Sequence, residues 1–319
     1  MPRRVRTGEP AGYNGYNLNK RGTIKLMKKY YQIYLILLPA VVFFFMFHYI
    51  PMYGLTMAFR DYRFNLGIFN SPWIGFKYFI AFFNYYNFSE IIKNTLVISF
   101  FKLILYFPLP IIFALLLNEV RQKFLKVFIQ TASYLPYFIS WVVAVAVMQE
   151  FFGLDGIINQ IREALGFKAI FFMSDQDAFY PLMFFSYVWK SLGFNSIIYF
   201  AALSNVDVSY YEAATVDGAG KLKQMWYISL PSIAPTIIML FILSLAGVLS
   251  AGWDQIYLLS TPGNFKVSEI LDTYIIKEGF RNAQFGYATS VSMFQSVIGL
   301  ILIIITDRLS KKISEVTIF

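Results

Sequence analysis

Few residues in this chain have the type and spacing to do chemistry, and most of those fail on spacing. Gly218-Ala219-Gly220-Lys221 is a fragment of a phosphate-binding loop, but that motif needs a Gly five positions before its Gly-Lys pair and a Ser or Thr after the Lys. Thr215 and Leu222 stand there instead, so the chain carries no ATP site of its own. It has no cysteine and one histidine, His48, which excludes disulfides, thiol nucleophiles, zinc–thiolate sites and multi-histidine metal sites. No HExxH, GxSxG or paired-carboxylate motif is present, and catalysis has no candidate. What is left is a set of polar and aromatic side chains in apolar surroundings: Trp189-Lys190-Ser191 with Asn195-Ser196, Gln149-Glu150, and Trp253-Asp254-Gln255 with Tyr257. Polar groups at membrane depth are costly and tend to face a cavity or a partner. Indole and phenol rings offer flat apolar faces, and Asn, Gln and carboxylates can bond hydroxyl groups. Asn195, Trp189, Trp253 and Gln255 are therefore the candidate ligand-facing residues. On a helix Trp189 and Asn195 point about 120° apart, whereas Lys190 and Gly193 share a face. Asn195 therefore ranks ahead of Trp189, and Trp253 and Gln255 are placed at an external mouth. The competing reading is interfacial anchoring, because aromatics collect at both membrane surfaces without binding anything. Lys93 and Lys102 are expected to snorkel.

The most structured polar stretch is Asp207–Pro235, which lies between two long apolar segments. Ser209-Tyr210-Tyr211-Glu212 reads as a capping box, the Ser hydroxyl bonding an early helical N–H and the Glu reaching back. A helix of about two turns is predicted, with Gly218 as a left-handed C-terminal cap and a second helix over 221–229 ending near Pro231. The first helix is expected to show Tyr210, Tyr211, Ala213 and Ala214 to water. Aromatic and small residues on a capped helix suit docking into a partner's groove. The plainer reading is an interfacial loop helix.

The elements that must position these residues are membrane helices. Of the 319 residues 58% are hydrophobic, 20% aromatic and only 14% charged, which is far from a soluble domain. Several stretches can cross about 30 Å of hydrocarbon, and the expected fold class is an all-α polytopic membrane protein with six transmembrane helices. Residues 1–30 form a basic segment, expected to be disordered over 1–22 and surface-lying from Lys25. Residues 31–90 hold the first span (31–50, an uncleaved span rather than a signal peptide) and an external aromatic-rich region. Residues 91–306 hold the other five spans, expected near 91–117, 127–152, 179–203, 233–251 and 285–306, and the polar loop over 204–232. Pro108 and Pro110 should kink the second, Pro136 lies inside the third, and residues 155–165 form a short external helix. Residues 307–319 are a tail. Sixteen Lys and Arg fall on the side of the termini and the 204–232 loop and eight on the other, which puts both termini and the loop in the cytoplasm. In a membrane protein the net charge of +9 reports this topology, and nucleic acid is not an expected partner.

Glu212-Ala213-Ala214, then Asp217-Gly218-Ala219, then Ile228-x-Leu230-Pro231 resemble the EAA motif of binding-protein-dependent ABC importer permeases: EAA, a Gly four residues after the last Ala, and I-x-L-P ten residues further on. The resemblance implies the ABC importer type I permease fold and identifies the loop as a coupling helix seated in a cleft of the ATPase subunit. Tyr211, Glu212, Ala213, Ala214, Asp217, Gly218, Ile228, Leu230 and Pro231 are the residues it points to. Leu37-Leu38-Pro39, Tyr53-Gly54-Leu55-x-x-Ala58-Phe59 with Asp61-Tyr62, and Trp73-Ile74-Gly75-Phe76 are similar to the oligosaccharide and polysaccharide import branch, although Tyr78 stands where that branch commonly has Asn. The implied assembly has a second, different permease, two ATP-binding cassette subunits that hold ATP and Mg, and an external solute-binding protein delivering a carbohydrate, all at the bacterial inner membrane among its lipids. No cofactor is implied in this chain. Amino-acid or phosphate cargo is the alternative within the family. An ion-coupled secondary transporter is the alternative outside it, but would show inverted repeats, of which the sequence has none. A membrane-embedded transferase lacks a catalytic constellation.

Overall fold

Apolar stretches this long must satisfy their backbone groups internally, and in this chain they do so as helices. The computed structural model describes Tyr30–Ala246 and Leu249–Ile313. The expectations for residues 1–29 and for the last six residues lie outside that range. Among the described residues there is no strand, only two isolated bridges, Arg60 to Trp73 and Arg63 to Gly67.

The chain divides into two units at Leu55/Thr56. The first contains most of α1 (Tyr31–Phe59), which is apolar all round. It runs on past Ile50, where the sequence placed the end of the first span, first as a π turn over Phe45–Tyr49 and then as 3-10 helix over Ile50–Phe59. Pro51 lacks an N–H to donate, and the tighter winding continues through it.

In the second unit, the Phe59–Phe76 segment folds on itself. Arg60 donates to the carbonyls of Phe69 (2.8 Å) and Ser71 (2.9 Å) and lies over the Trp73 ring, which stacks on Phe59. After α2 (Lys77–Phe83) comes α3 (Phe88–Glu119). The expected kink in α3 takes the form of a π turn over Lys102–Tyr106, immediately before Pro108. Two prolines close together remove two N–H donors and leave carbonyls one turn earlier without helical partners; the widened turn is how the helix absorbs that.

The third expected span, 127–152, is corrected to two helices, α4 (Lys123–Tyr134) and α5 (Trp141–Phe152), separated by a 3-10 turn over Leu135–Phe138. Pro136 stops α4, and the Ser140 hydroxyl caps α5 by accepting from the Val143 N–H at 3.3 Å. The interruption is stabilised by Lys190, which donates to the carbonyls of Tyr137 and Ile139. The short helix α6 (Ile157–Ala164) follows. It occupies the expected place.

α7 (Gln176–Ser204) is the axis of this unit. Its packing against the second half of α3 is close, and Ile111, Ala114, Tyr199, Leu203 and Ile233 form one buried cluster there. Against α4 the approach is closer still: a Cβ at Gly193 would collide with the Ser133 carbonyl, so only glycine fits. Then come α8 (Val208–Val216), α9 (Lys221–Ser232) and α10 (Ala234–Ala246). The connection between α10 and the last long helix folds into α11 (Trp253–Leu259), α12 (Phe265–Ser268) and α13 (Leu271–Ile276). Ile256, Leu259 and Ile270 are buried with Met183 and Ile98, while Leu271 and Tyr274 are buried with Phe82 and Tyr287. α14 (Phe285–Ile313) continues as helix beyond residue 306 into the expected tail.

By length and composition, Tyr31–Phe59, Phe88–Glu119, Trp141–Ala164 and Phe285–Ile305 could each cross a membrane. The pair Lys221–Ser232 and Ala234–Leu245, bent by 63°, would make a fifth. α7 is long enough but is not among them, because Ser186, Lys190, Ser191, Asn195 and Ser196 lower its hydropathy.

Candidate functional site

Two places bring the singled-out residues together: the α8–α9 hairpin and a cavity between α3, α7 and α10.

The hairpin starts from local backbone chemistry. The helix begins two residues earlier than the predicted capping box would place it, and its N-cap is Asp207, whose carboxylate accepts from the Ser209 N–H at 2.9 Å. The Ser209–Glu212 capping box is not formed. Asp207 is the better cap because a carboxylate complements the positive end of the helix dipole. The Ser209 N–H, and its hydroxyl, hold the Asp207 carboxyl below its ordinary value. A depressed carboxyl contributes stability above its unfolded pKa of about 3.9 and loses that contribution only as the pH falls through the folded value. The cap is thus intact at neutral pH. At the other end Gly218 is left-handed, with φ +74°. The Ala219 N–H reaches the Ala214 carbonyl (2.8 Å) and the Gly218 N–H reaches that of Thr215 (3.1 Å), which is the Schellman arrangement.

α8 is fastened to α9 from one side. The Tyr211 hydroxyl pairs with that of buried Ser229 at 2.9 Å, and buried Gln224 donates to Thr215 Oγ1 (2.9 Å) and to the Ala219 carbonyl (3.1 Å). Lys221 forms an ion pair with Glu119 at the end of α3, 2.9 Å apart. The expectation that Tyr211 and Ala214 face water is corrected: both are half-buried as the fastened side, while Tyr210, Glu212, Ala213, Val216, Asp217 and Gly218 are exposed. Leu230 packs against the α3–α7–α10 cluster and Ile228 is half-buried, whereas Pro231 is exposed. The sequence placed the second helix at 221–229. It continues to Ser232 through a π turn at Met225–Ser229.

The cavity has a volume of about 460 Å³, within the range of about 300–1,000 Å³ usual for small-ligand sites. Ser99, Lys102, Tyr106, Tyr187, Asn195 and Ser244 give it polar points among Leu103, Phe107, Phe194, Ile198 and Leu240. Asn195 faces it as expected, and its amide donates to the Tyr106 hydroxyl at 2.8 Å. Trp189, named as a candidate, is corrected: it does not line the cavity and is partly exposed on another face of α7. Trp253 is about half-exposed beside Tyr257 and also lies outside the cavity. Gln255 is corrected outright. It is fully buried, donating to the Met183 carbonyl (2.6 Å) and Ser186 Oγ (2.9 Å) and accepting from Lys102 Nζ (2.9 Å). It stands behind the cavity wall rather than at a mouth.

Sequence reading missed Lys102, Tyr106 and Tyr187. Lys102 does not snorkel: Nζ also donates to the Ala251 carbonyl at 2.6 Å and lies 4.3 Å from the centre of the Tyr187 ring. The usable signal was a charge inside an apolar span just before two prolines, since intramembrane charges are functional candidates by default. Lys190 has a different task. It donates to the carbonyls of Pro136 (3.5 Å), Tyr137 (2.7 Å) and Ile139 (2.6 Å), the groups freed where α4 breaks. No group of three or more potential metal ligands occurs among the described residues.

Residues 106–315 match the sequence profile of the family described as "Binding-protein-dependent transport system inner membrane component". The chain is 42% identical over 301 residues, covering 94% of each, to the polygalacturonan/rhamnogalacturonan transport system permease protein YteP of Bacillus subtilis (strain 168). It is 41% identical over 288 residues to Protein LplB of the same organism, covering 90% of this chain and 91% of LplB. Among solved structures it resembles a chain of the bacterial alginate ABC transporter in complex with alginate pentasaccharide-bound periplasmic protein, with a TM-score of 0.85 and 34% identity over 92% of this chain and 99% of the other. Together with the helical bundle and the EAA hairpin, these likenesses establish that the chain belongs to the binding-protein-dependent transport system inner membrane component family, as a permease subunit of an ABC importer that leaves ATP hydrolysis to separate subunits.

Proposed function

We propose that this subunit forms half of the translocation path for an oligosaccharide or polysaccharide fragment, paired with a second, different permease and loaded by an external solute-binding protein. The observation that carries the coupling half of this reading is the α8–α9 hairpin. It is anchored on one side by Tyr211–Ser229 and Gln224–Thr215 and presents Tyr210, Ala213 and Val216 on the other. A short rigid helix with an exposed apolar and small-residue face suits a groove, here on an ATP-binding cassette subunit. ATP and Mg reside there. Tyr211, Glu212, Ala213, Ala214, Asp217, Gly218, Ile228, Leu230 and Pro231 shape or present the helix. Counting α7 and α10 beside the four most apolar helices gives six spans, an even number that leaves both termini on one side, and the excess of Lys and Arg on that side favours the cytoplasm.

Carbohydrate is favoured as cargo by the names of the relatives and by the aromatic and hydroxyl-bonding groups of the cavity. Asn195 and Tyr106 present a hydrogen-bonded pair to it. Asn195→Ala is expected to lower the initial rate of oligosaccharide uptake three- to ten-fold, which corresponds to about 1 kcal/mol for one hydrogen bond, while the subunits still copurify. Trp189→Ala and Trp253→Ala are expected to change it little, since neither side chain lines the cavity. The reading as a whole is tested by reconstituting the copurified permeases, ATPases and binding protein in liposomes and screening oligosaccharides for stimulated ATP hydrolysis. Stimulation by a saccharide is expected; stimulation by an amino acid or phosphate alone would replace the carbohydrate assignment.

A further inference from the structure

Lys102 lines the cavity with fewer hydrogen bonds than Lys190, whose ammonium is bonded to three backbone carbonyls. Lys102 has two hydrogen-bond acceptors, the Ala251 carbonyl and Gln255 Oε1, both neutral, and a third contact with the Tyr187 ring, whose centre is 4.3 Å away. An ammonium carries three donors. Among the described residues no carboxylate lies within ion-pair distance of it. Asp254 and Asp272 act on it from further away; Asp272 Oδ1 is engaged by Gln295 at 2.8 Å, and its Oδ2 is buried without a hydrogen-bond partner. One turn earlier on the same face of α3, Ser99 Oγ is buried with no hydrogen-bond partner and also lines the cavity. The π turn begins at Lys102 itself, and such turns recur at functional sites. Gln255, held by Met183 and Ser186, fixes the ammonium from behind.

We infer that this cavity selects an anionic sugar, with Lys102 receiving the carboxylate of a uronate residue and Ser99 and Asn195 bonding its oxygens. A charge whose hydrogen-bond partners are all neutral is costly in a low-dielectric site, and a carboxylate arriving there gains a charge-assisted hydrogen bond. A neutral sugar gains no such bond. The inference rests on the carbohydrate reading above and narrows it. It agrees with the likeness to an importer of "the acidic polysaccharide alginate", although the argument is made on this chain's own cavity.

The test compares two substrates in the complete reconstituted complex: trigalacturonate, and the same trisaccharide with its carboxyls reduced to alcohols, each at a concentration that saturates the binding protein. Lys102→Gln is expected to slow trigalacturonate uptake at least ten-fold and uptake of the reduced trisaccharide less than three-fold, and Lys102→Arg is expected to restore most of the trigalacturonate rate. Referring each variant rate to the wild-type rate for the same sugar cancels discrimination by the binding protein. If Lys102→Gln slows both sugars equally, Lys102 only pins Ala251 and Gln255, and the inference is overturned while the carbohydrate reading stands. Unchanged uptake of both overturns it equally. Wild-type complex that moves neither sugar removes the carbohydrate reading and this inference with it.

Discussion

Gly218→Val is expected to leave the protein inserted in the membrane and to reduce transport to background. Nothing lies within 4 Å of the position a Cβ would take there, so the substitution meets no steric clash. Its effect comes from the backbone alone: at φ +74° an L-residue is strained by about 1–2 kcal/mol, and a β-branched one stands at the upper end. The cheapest relief is to give up the Schellman bonds to Ala214 and Thr215. That frays the last turn of α8 and moves Ala219, which holds the Gln224 amide. The helix then presents its exposed face at a different angle to the ATPase. Gly218→Ala should show a weaker form of the same defect, and Gly218→Asn weaker still, because Asn tolerates the left-handed region. Copurification of the ATPase with the permease is the readout. Full association and normal transport in Gly218→Val would remove the coupling role from this turn.

The second large effect is expected at Lys190. Replacing it by Met keeps the length and apolar stem of the side chain but withdraws three hydrogen bonds from the carbonyls of Pro136, Tyr137 and Ile139. The Pro136 carbonyl keeps the Ile139 N–H, but those of Tyr137 and Ile139 lose the ammonium, at about 1–3 kcal/mol for each acceptor left buried without a partner. The turn between α4 and α5 loses the group that bridges it. Lys190 also sits 5.3 Å and 5.5 Å from the Tyr137 and Trp141 ring centres, so the aromatic packing of the break is lost with the charge. A drop of several degrees in the thermal unfolding midpoint of the detergent-solubilised complex is expected for Lys190→Met, with a smaller drop for Lys190→Arg. A midpoint unchanged in Lys190→Met would mean that the break is held by Pro136 and Ser140 alone.

These two sites show where sequence reading reached and where it stopped. The EAA hairpin was legible because its determinants are local: a glycine needed for a left-handed turn, an Ile-x-Leu-Pro ending, and fixed spacing. Even there the N-cap was misplaced, since Ser209 and Asp207 are both good caps and the choice depends on where the chain leaves α7. Asn195 was legible as a polar residue ranked ahead of Trp189 by helical angle, but Trp189, kept as a candidate, lies outside the cavity. The break at Leu135–Phe138 was half legible. Pro136 announces a perturbation, but whether it kinks or interrupts the helix depends on Lys190, more than fifty residues away in sequence. Lys102 and Gln255 were misread for the same reason. Their roles follow from contacts between α3, α7 and α11, and nothing in the spacing of one helix says that Gln255 will be buried with its amide on Met183 and its carbonyl on Lys102. Likewise nothing in the spacing of residues 252–284 says that Ile256, Leu259, Ile270 and Tyr274 are core.

The central claim is that the exposed face of α8 lies in the cytoplasm against an ATPase subunit. The chain has no cysteine, and Val216 is 88% exposed at the end of that face, so Val216→Cys provides a single probe with little structural cost. A membrane-impermeant maleimide should fail to label it in intact cells, should label it in inverted vesicles stripped of ATPase, and should be blocked when purified ATPase subunits are added back. Labelling from outside intact cells, or labelling in inverted vesicles that the ATPase does not reduce, would contradict the account.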